Sequence, residues 1–290
     1  MFGLDHNTQV VAGASALLGT AAGLAGTLML LRKRALVADA LGHATLPGIA
    51  VGYLASLALG GTGKEPWVLM LGAAAGALLG VASVALIRRL ARTSEDTAMA
   101  IVLGSFFGLG AMLLTVIQAS AEGNQAGLSH FVTGHAASMV SADLQLSIGV
   151  AIACILVIVL LAKELRLLCF DEAFAMSLGR SAKRLDALVL LIVTGVVVAG
   201  LQAVGLILIL ALLVIPAAAA RFLTDRFVPM LLAAAVLGAA SGVAGTLVSS
   251  AAPDLPTGPC IVVSAALLFV LALVFSPRNG LIARAAGGRL

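Results

Sequence analysis

Charge is what this sequence lacks most. Only 10% of its 290 residues are Asp, Glu, Lys or Arg, while 61% are hydrophobic. A soluble surface needs about 25–35% charged residues, so a water-soluble enzyme or binding module is excluded. Cysteine is scarce too. Cys154, Cys169 and Cys260 form no CxxC and no metal-ligand spacing, and read as small apolar core residues. No Lys or Arg precedes the first apolar run in MFGLDHNTQ. A cleavable signal needs a basic start, so the first segment is expected to remain as a membrane span. Catalytic motifs are missing: there is no HExxH, no GxSxG and no paired-carboxylate constellation. Gly63-Lys64 lacks the remaining residues of a phosphate-binding loop, because Ala58 and Glu65 stand where Gly and Ser or Thr are required. The chain itself is not expected to hydrolyse nucleotide.

What is present is a succession of apolar runs from end to end, which specifies an all-α polytopic membrane protein. The runs are continuous rather than alternating, so a β-barrel is excluded. Nine segments are predicted: 10–31, 36–60, 67–87, 98–118, 144–162, 187–200, 201–220, 229–250 and 259–276. The sixth and seventh are nearly continuous. Gly200 and Gly205 bracket the proposed break, and one long bent helix is the alternative, giving eight. The whole of 1–290 reads as one transmembrane domain.

Basic residues test the count. With the N-terminus outside, sixteen of seventeen Lys and Arg fall on the cytoplasmic side: Arg32, Lys33, Arg34, Arg88, Arg89, Arg92, Lys163, Arg166, Arg180, Lys183, Arg184, Arg221, Arg226, Arg278, Arg284 and Arg289. Only Lys64 falls outside, and the C-terminus is cytoplasmic. The pI near 9.3 therefore reflects topology, and no nucleic-acid partner is expected. Residues 119–143 form an external loop. Residues 163–186 form a cytoplasmic one, in which Leu167, Leu168, Phe170, Phe174 and Leu178 approximate one apolar helical face. Such a helix either docks on a cytoplasmic partner or lies on lipid headgroups. Gly72, Gly76 and Gly80, and Gly104 with Gly108, repeat every four residues, which suits close helix crossing.

Asp39 is the only carboxylate inside any of the predicted apolar segments, and His43 the only histidine. Four residues apart, they share one face of a helix. Ionisable groups at membrane depth mark a substrate or ion pathway. Carboxylate and imidazole together suit a divalent transition metal, Mn²⁺, Zn²⁺ and Fe²⁺ alike. The ordinary alternative is that Asp39 pairs with Arg34 at the headgroup boundary while His43 is a hydrogen-bonded packing residue. Pro47-Gly48 is expected to break the helix just beyond, leaving carbonyls that line a cavity. Two ligands are too few for a metal, so a second subunit related by two-fold symmetry is expected to supply two more. The ligating imidazole should be neutral, with its other nitrogen hydrogen-bonded.

ALVADALGHATLPGIAVGYL resembles the signature stretch of the ABC-type manganese/zinc/iron permeases. RTSEDTAMAIVLGSFFGLGAMLL, CFDEAFAMSLG, LQAVGLILILALLVIPAAAARFLTDRF and PDLPTGPCIVV are similar to other stretches of that family, collinear across nearly the whole chain. GNQAGLSHFVTGHAASM resembles a subgroup in which two different permeases are encoded together, with His135 where Gln or Asn is expected. The resemblance implies a permease like those of type II ABC importers, in the bacterial plasma membrane. It implies two permease subunits, identical or sister chains, two separate cytoplasmic ATPase subunits, and a periplasmic or lipid-anchored protein that delivers the metal. Asp39 and His43 map onto the family's proposed pathway ligands. Phe170, Asp171, Glu172, Phe174, Ser177 and Gly179 map onto its ATPase-coupling segment. The metal is cargo, and no permanent cofactor is implied. Three other readings remain open at this point: a proton-coupled secondary metal transporter, an importer permease for a siderophore or cobalamin-like ligand, and a non-transporting membrane scaffold.

Overall fold

The computed structural model describes residues 6–63, 65–119, 141–251, 255–276 and 280. They form α1 (His6–Leu31), α2 (Ala35–Ala58), α3 (Pro66–Ala91), α4 (Glu95–Ala119), α5 (Ser141–Leu160), α6 (Ala162–Phe170), α7 (Glu172–Ser177), α8 (Ala182–Val204), α9 (Leu206–Leu223), α10 (Phe227–Ser250) and α11 (Thr257–Phe275). Among the described residues, eight helices are long and apolar enough to cross a membrane. The α5–α6 pair, bent by 69°, makes nine if it counts as one span. The predicted external loop and His135 lie almost wholly outside the described residues, as do the basic residues of the C-terminal tail.

The sixth and seventh spans are two helices, not one bent helix. Gly205 separates them at φ +89°, a backbone conformation that excludes ordinary L side chains. Gly200 packs against Ile209, so the chain turns sharply there. The break falls at Gly205 rather than directly after Gly200, because Gly205 alone supplies the required dihedral.

Helices α1, α2 and α8 are the most enclosed, and α3, α4 and α11 the least. Small residues decide which backbones approach. A Cβ at Gly19 would overlap the carbonyl of Gly238, so α1 and α10 cross backbone to backbone. Gly48 and Gly72 do the same for α2 and α3, with Gly76 stacked beside Gly48. The expected role of the Gly72 repeat is realised in this crossing. Gly104 and Gly108 differ: a Cβ at either position would meet nothing within 4 Å. They face away from the chain's own bundle, and α4 crosses α2 through Gly110 instead, against Leu46 and Pro47.

The α2–α3 turn is tied by Glu65. Its carboxylate accepts Ser56 Oγ at 2.5 Å and the Thr62 backbone N–H at 2.8 Å, while Gly63 N–H donates to Ser56 Oγ at 3.1 Å. The Ser56 hydroxyl, aided by the Thr62 N–H, holds the Glu65 carboxyl down at about 2 against an ordinary 4.5. A carboxyl depressed in the folded state stabilises above its unfolded value and loses that contribution as pH falls. The turn is therefore expected to stay closed at neutral pH and to loosen as pH falls from 4.5 towards about 2. Trp67, the single tryptophan, reports on it two residues away. Its fluorescence in detergent should change across that window, and Glu65→Gln should remove the change. A transition already complete above pH 4.5 would refute the assignment.

Candidate metal centre

Helix α2 carries both candidate ligands. It runs unbroken from Ala35 to Ala58 with Pro47 inside, so the expected break at Pro47-Gly48 does not occur. Proline lacks an N–H, which costs one helical hydrogen bond and here removes the donor four residues on from the His43 carbonyl. Packing holds the helix together across this gap: Pro47 sits against Gly110 of α4, and Gly48 against Gly72 of α3. Gly48 thus serves a helix crossing rather than a kink.

Asp39 and His43 face each other on this helix, with Oδ1 and Nε2 3.4 Å apart. The Asp39 side chain is 41% exposed and that of His43 22%. Leu36, Val51 and Leu54 of the same helix are also exposed, so the pair lies on the side of α2 turned out of the bundle. Asp39 does not pair with Arg34. Arg34 instead binds Glu95 at 2.9 Å and Asp186 at 2.5 Å. The headgroup-pairing alternative for Asp39 is therefore not realised.

The imidazole packs edge-on against Phe107 of α4, with ring centroids 5.1 Å apart and planes at 83°. Its Nδ1 is buried and has no hydrogen-bond partner among the described residues. Among the described residues the expected bond to the second ring nitrogen is not made, and the ring meets an aromatic wall instead. Phe107 was not legible as part of the site, since contact between α2 and α4 depends on Gly110. Among the described residues no three His, Cys, Asp or Glu groups converge as a metal would require. Among the described residues, one copy of the chain brings together two candidate side-chain ligands on an open face.

The residues expected to couple to an ATPase lie along two short helices, α6 and α7, and the turns that join and follow them. The single apolar face expected through 167–178 is interrupted at Asp171, whose Oδ1 accepts the Phe174 N–H at 2.8 Å and starts α7. Leu168 is buried, and Phe170, Phe174, Met176 and Leu178 are each at least half exposed. Phe170 leans on Phe227 of α10, centroids 6.2 Å apart. Ser177 Oγ closes α7 by donating to the Phe174 carbonyl, and Gly179 at φ +76° turns the chain away. Glu172 points to Arg32, 3.0 Å away. Phe170, Asp171, Glu172, Phe174, Ser177 and Gly179 are all exposed and lie on this one segment.

Residues 5–276 match the family described as the ABC 3 transport family. The chain belongs to that family. Within the ABC 3 family it is 43% identical over 283 residues to the manganese transport system membrane protein MntC of Bacillus subtilis. That match covers 97% of this chain and 64% of the relative, so the chain spans less than two thirds of that protein's length. It is 37% identical to the zinc transport system membrane protein TroC of Treponema pallidum, covering 96% of this chain and 92% of the relative. Among solved structures, PsaBC from Streptococcus pneumoniae in complex with Fab superposes with a TM-score of 0.81 at 30% identity, over 94% of this chain and 93% of that one. An inward-facing metal-chelate type ABC transporter shares the fold, with a TM-score of 0.69 at 18% identity over 91% and 84% of the two chains. This ABC 3 member is thus a multi-span membrane protein with the fold of ABC permeases.

Proposed function

We propose that this chain is the permease subunit of an ATP-driven importer that carries a divalent transition metal, Mn²⁺, Zn²⁺ or Fe²⁺, into the bacterial cytoplasm by alternating access. The observation that carries the reading is the Asp39–His43 pair on the outward side of α2, partly exposed and otherwise set in an apolar span. A carboxylate facing lipid there would be costly, so that face belongs against protein or a water-filled path. Two ligands per chain become four across a two-fold axis, which is enough for a transition metal. The second permease, identical or a sister chain, covers α2 and the outward face of α4, where Gly104 and Gly108 allow close approach. Names of relatives that mention manganese and zinc transport support the class of cargo.

ATP is hydrolysed on two separate cytoplasmic subunits that dock on Phe170, Phe174, Met176 and Leu178. A periplasmic or lipid-anchored binding protein delivers the ion at the opposite end. The N-terminus is outside and the C-terminus cytoplasmic. Ion pairs that join the α1–α2 link both to the α7–α8 region and to the start of α4 support placing those basic stretches on one side. The ion is held transiently, since a conducting site must also release it.

The test is Mn²⁺ and Zn²⁺ uptake into proteoliposomes containing the permease with its native ATPase and binding protein. Uptake should require internal ATP and persist when the proton gradient is collapsed. Uptake that survives without ATP but stops with the gradient would establish the proton-coupled alternative. Transport of a chelated ligand but not of the free ion would establish the siderophore-type one.

A further inference from the structure

We propose that the ion-pair chain Glu172–Arg32–Asp186–Arg34–Glu95–Arg88 is a positioning device that links the ATPase-docking segment to both helices of the metal site, with Asp186 at its centre. The inference rests on the importer reading above. Its starting point is geometric. Arg32, in the α1–α2 link, donates to Glu172 at 3.0 Å, to Asp186 at 3.1 Å and to the Leu168 carbonyl of α6 at 3.0 Å. The other oxygen of Asp186 accepts from Arg34 at 2.5 Å. Arg34 Nε binds Glu95 at 2.9 Å, and the second Glu95 oxygen binds Arg88 at 2.8 Å. Charge alternates at every step, and each interior residue has two opposite neighbours.

Isolated surface ion pairs contribute roughly 0–1 kcal/mol and transmit little. This chain is different in kind. Only 14% of the Arg32 side chain and 23% of that of Asp186 are exposed, and the members share partners. Burial works against the charge on Arg32, but Glu172 and Asp186 outweigh it and hold the guanidinium above its ordinary value. Strongly held charges shielded from solvent are screened less than exposed ones.

The chain of ion pairs meets both functional regions, one at its Glu172 end and the other at Arg34 and Glu95. Glu172 is the first residue of α7, on the exposed segment assigned to the ATPase. Arg34 immediately precedes α2, and its guanidinium bridges Asp186 and Glu95. Asp39 lies five residues on, about 7–8 Å along a rigid helix. Glu95 is the first residue of α4, whose Phe107 packs on His43. Both walls of the metal site therefore begin at this network. A cavity of about 140 Å³ beside it, lined by Arg34, Arg88, Glu95, Asp186, Val37 and Leu41, leaves room for exchange of partners.

The experiment uses the reconstituted importer, with uptake and ATP hydrolysis measured together. Asp186→Asn should leave basal hydrolysis within about twofold but lower the hydrolysis stimulated by loaded binding protein by about tenfold, within the range single residues contribute to coupling. Asp186→Glu should restore it. A second variant covers the case in which Asp186→Asn fails to assemble. Arg34→Lys keeps the charge, but one ammonium cannot present separate nitrogens to Asp186 and Glu95. It should lower the number of ions moved per ATP while assembly is unchanged. Wild-type stimulation in Asp186→Asn, or an unchanged ion-to-ATP ratio in Arg34→Lys, would overturn the relay. Absence of ATP-driven metal uptake by the wild type would overturn the importer reading first, and the relay with it.

Discussion

Asp39→Asn is expected to lower metal uptake by about a hundredfold while the permease still assembles with its partners. Loss of a group that merely supports a ligand costs about 10–100-fold in metal affinity, and a ligand itself belongs at the upper end. Asn is nearly isosteric, and the Asp39 side chain is 41% exposed, so the bundle loses no packing. What is lost is a negative charge in a low-dielectric path and its contact with His43 Nε2. His43→Ala should fall similarly, and the double variant should be no worse than about tenfold below either single one, because the two act on one ion. Initial rates of Mn²⁺ and Zn²⁺ uptake, read beside the amount of assembled complex, decide the matter. Uptake near wild type in Asp39→Asn would return the pair to a packing role.

Phe174→Asp is expected to detach the ATPase. Phe174 is half exposed, and its neighbour Ala175 is the residue of α7 that faces the bundle. Substitution therefore leaves the fold intact and removes an aromatic anchor of the kind that dominates interfaces. Such anchors contribute at least about 2 kcal/mol, or roughly thirtyfold in affinity. Titration of the purified permease with its ATPase should show that loss or more, with unchanged thermal stability of the permease alone. Retention of wild-type affinity would place the docking surface elsewhere. Asp171 and Glu172 behave differently. Asp171 caps α7 and Glu172 holds Arg32, so their substitution is expected to change internal contacts as well as the exposed surface.

Much of the architecture was legible from residue order. Long apolar runs can satisfy their backbone in lipid only as helices, so span existence and class follow from composition. The Gly72 repeat announced a close crossing, and the structure places Gly48 against it. Gly104 and Gly108 have the same spacing and no neighbour, because periodicity does not say which side of a helix its own chain will cover. Pro47 misled for a related reason. Proline opposes a helix locally, but contacts with Gly110 and the Gly48–Gly72 crossing hold α2 continuous. The apolar pattern of 167–178 treated two short helices as one, since the Asp171 cap is decided by a backbone angle and not by hydropathy.

Residue chemistry and spacing alone determined that this is a polytopic helical membrane protein, and that one carboxylate and one imidazole share a face at membrane depth. These are properties of single residues and of helical period, and they survive any packing of the helices. Tertiary structure alone decided what surrounds that pair: Phe107 beside the ring, an Nδ1 without a partner among the described residues, and Arg34 committed to Asp186 and Glu95 rather than to Asp39. Each of these contacts joins residues on different helices, and which helices touch depends on glycine-scale complementarity between backbones that a linear sequence does not display.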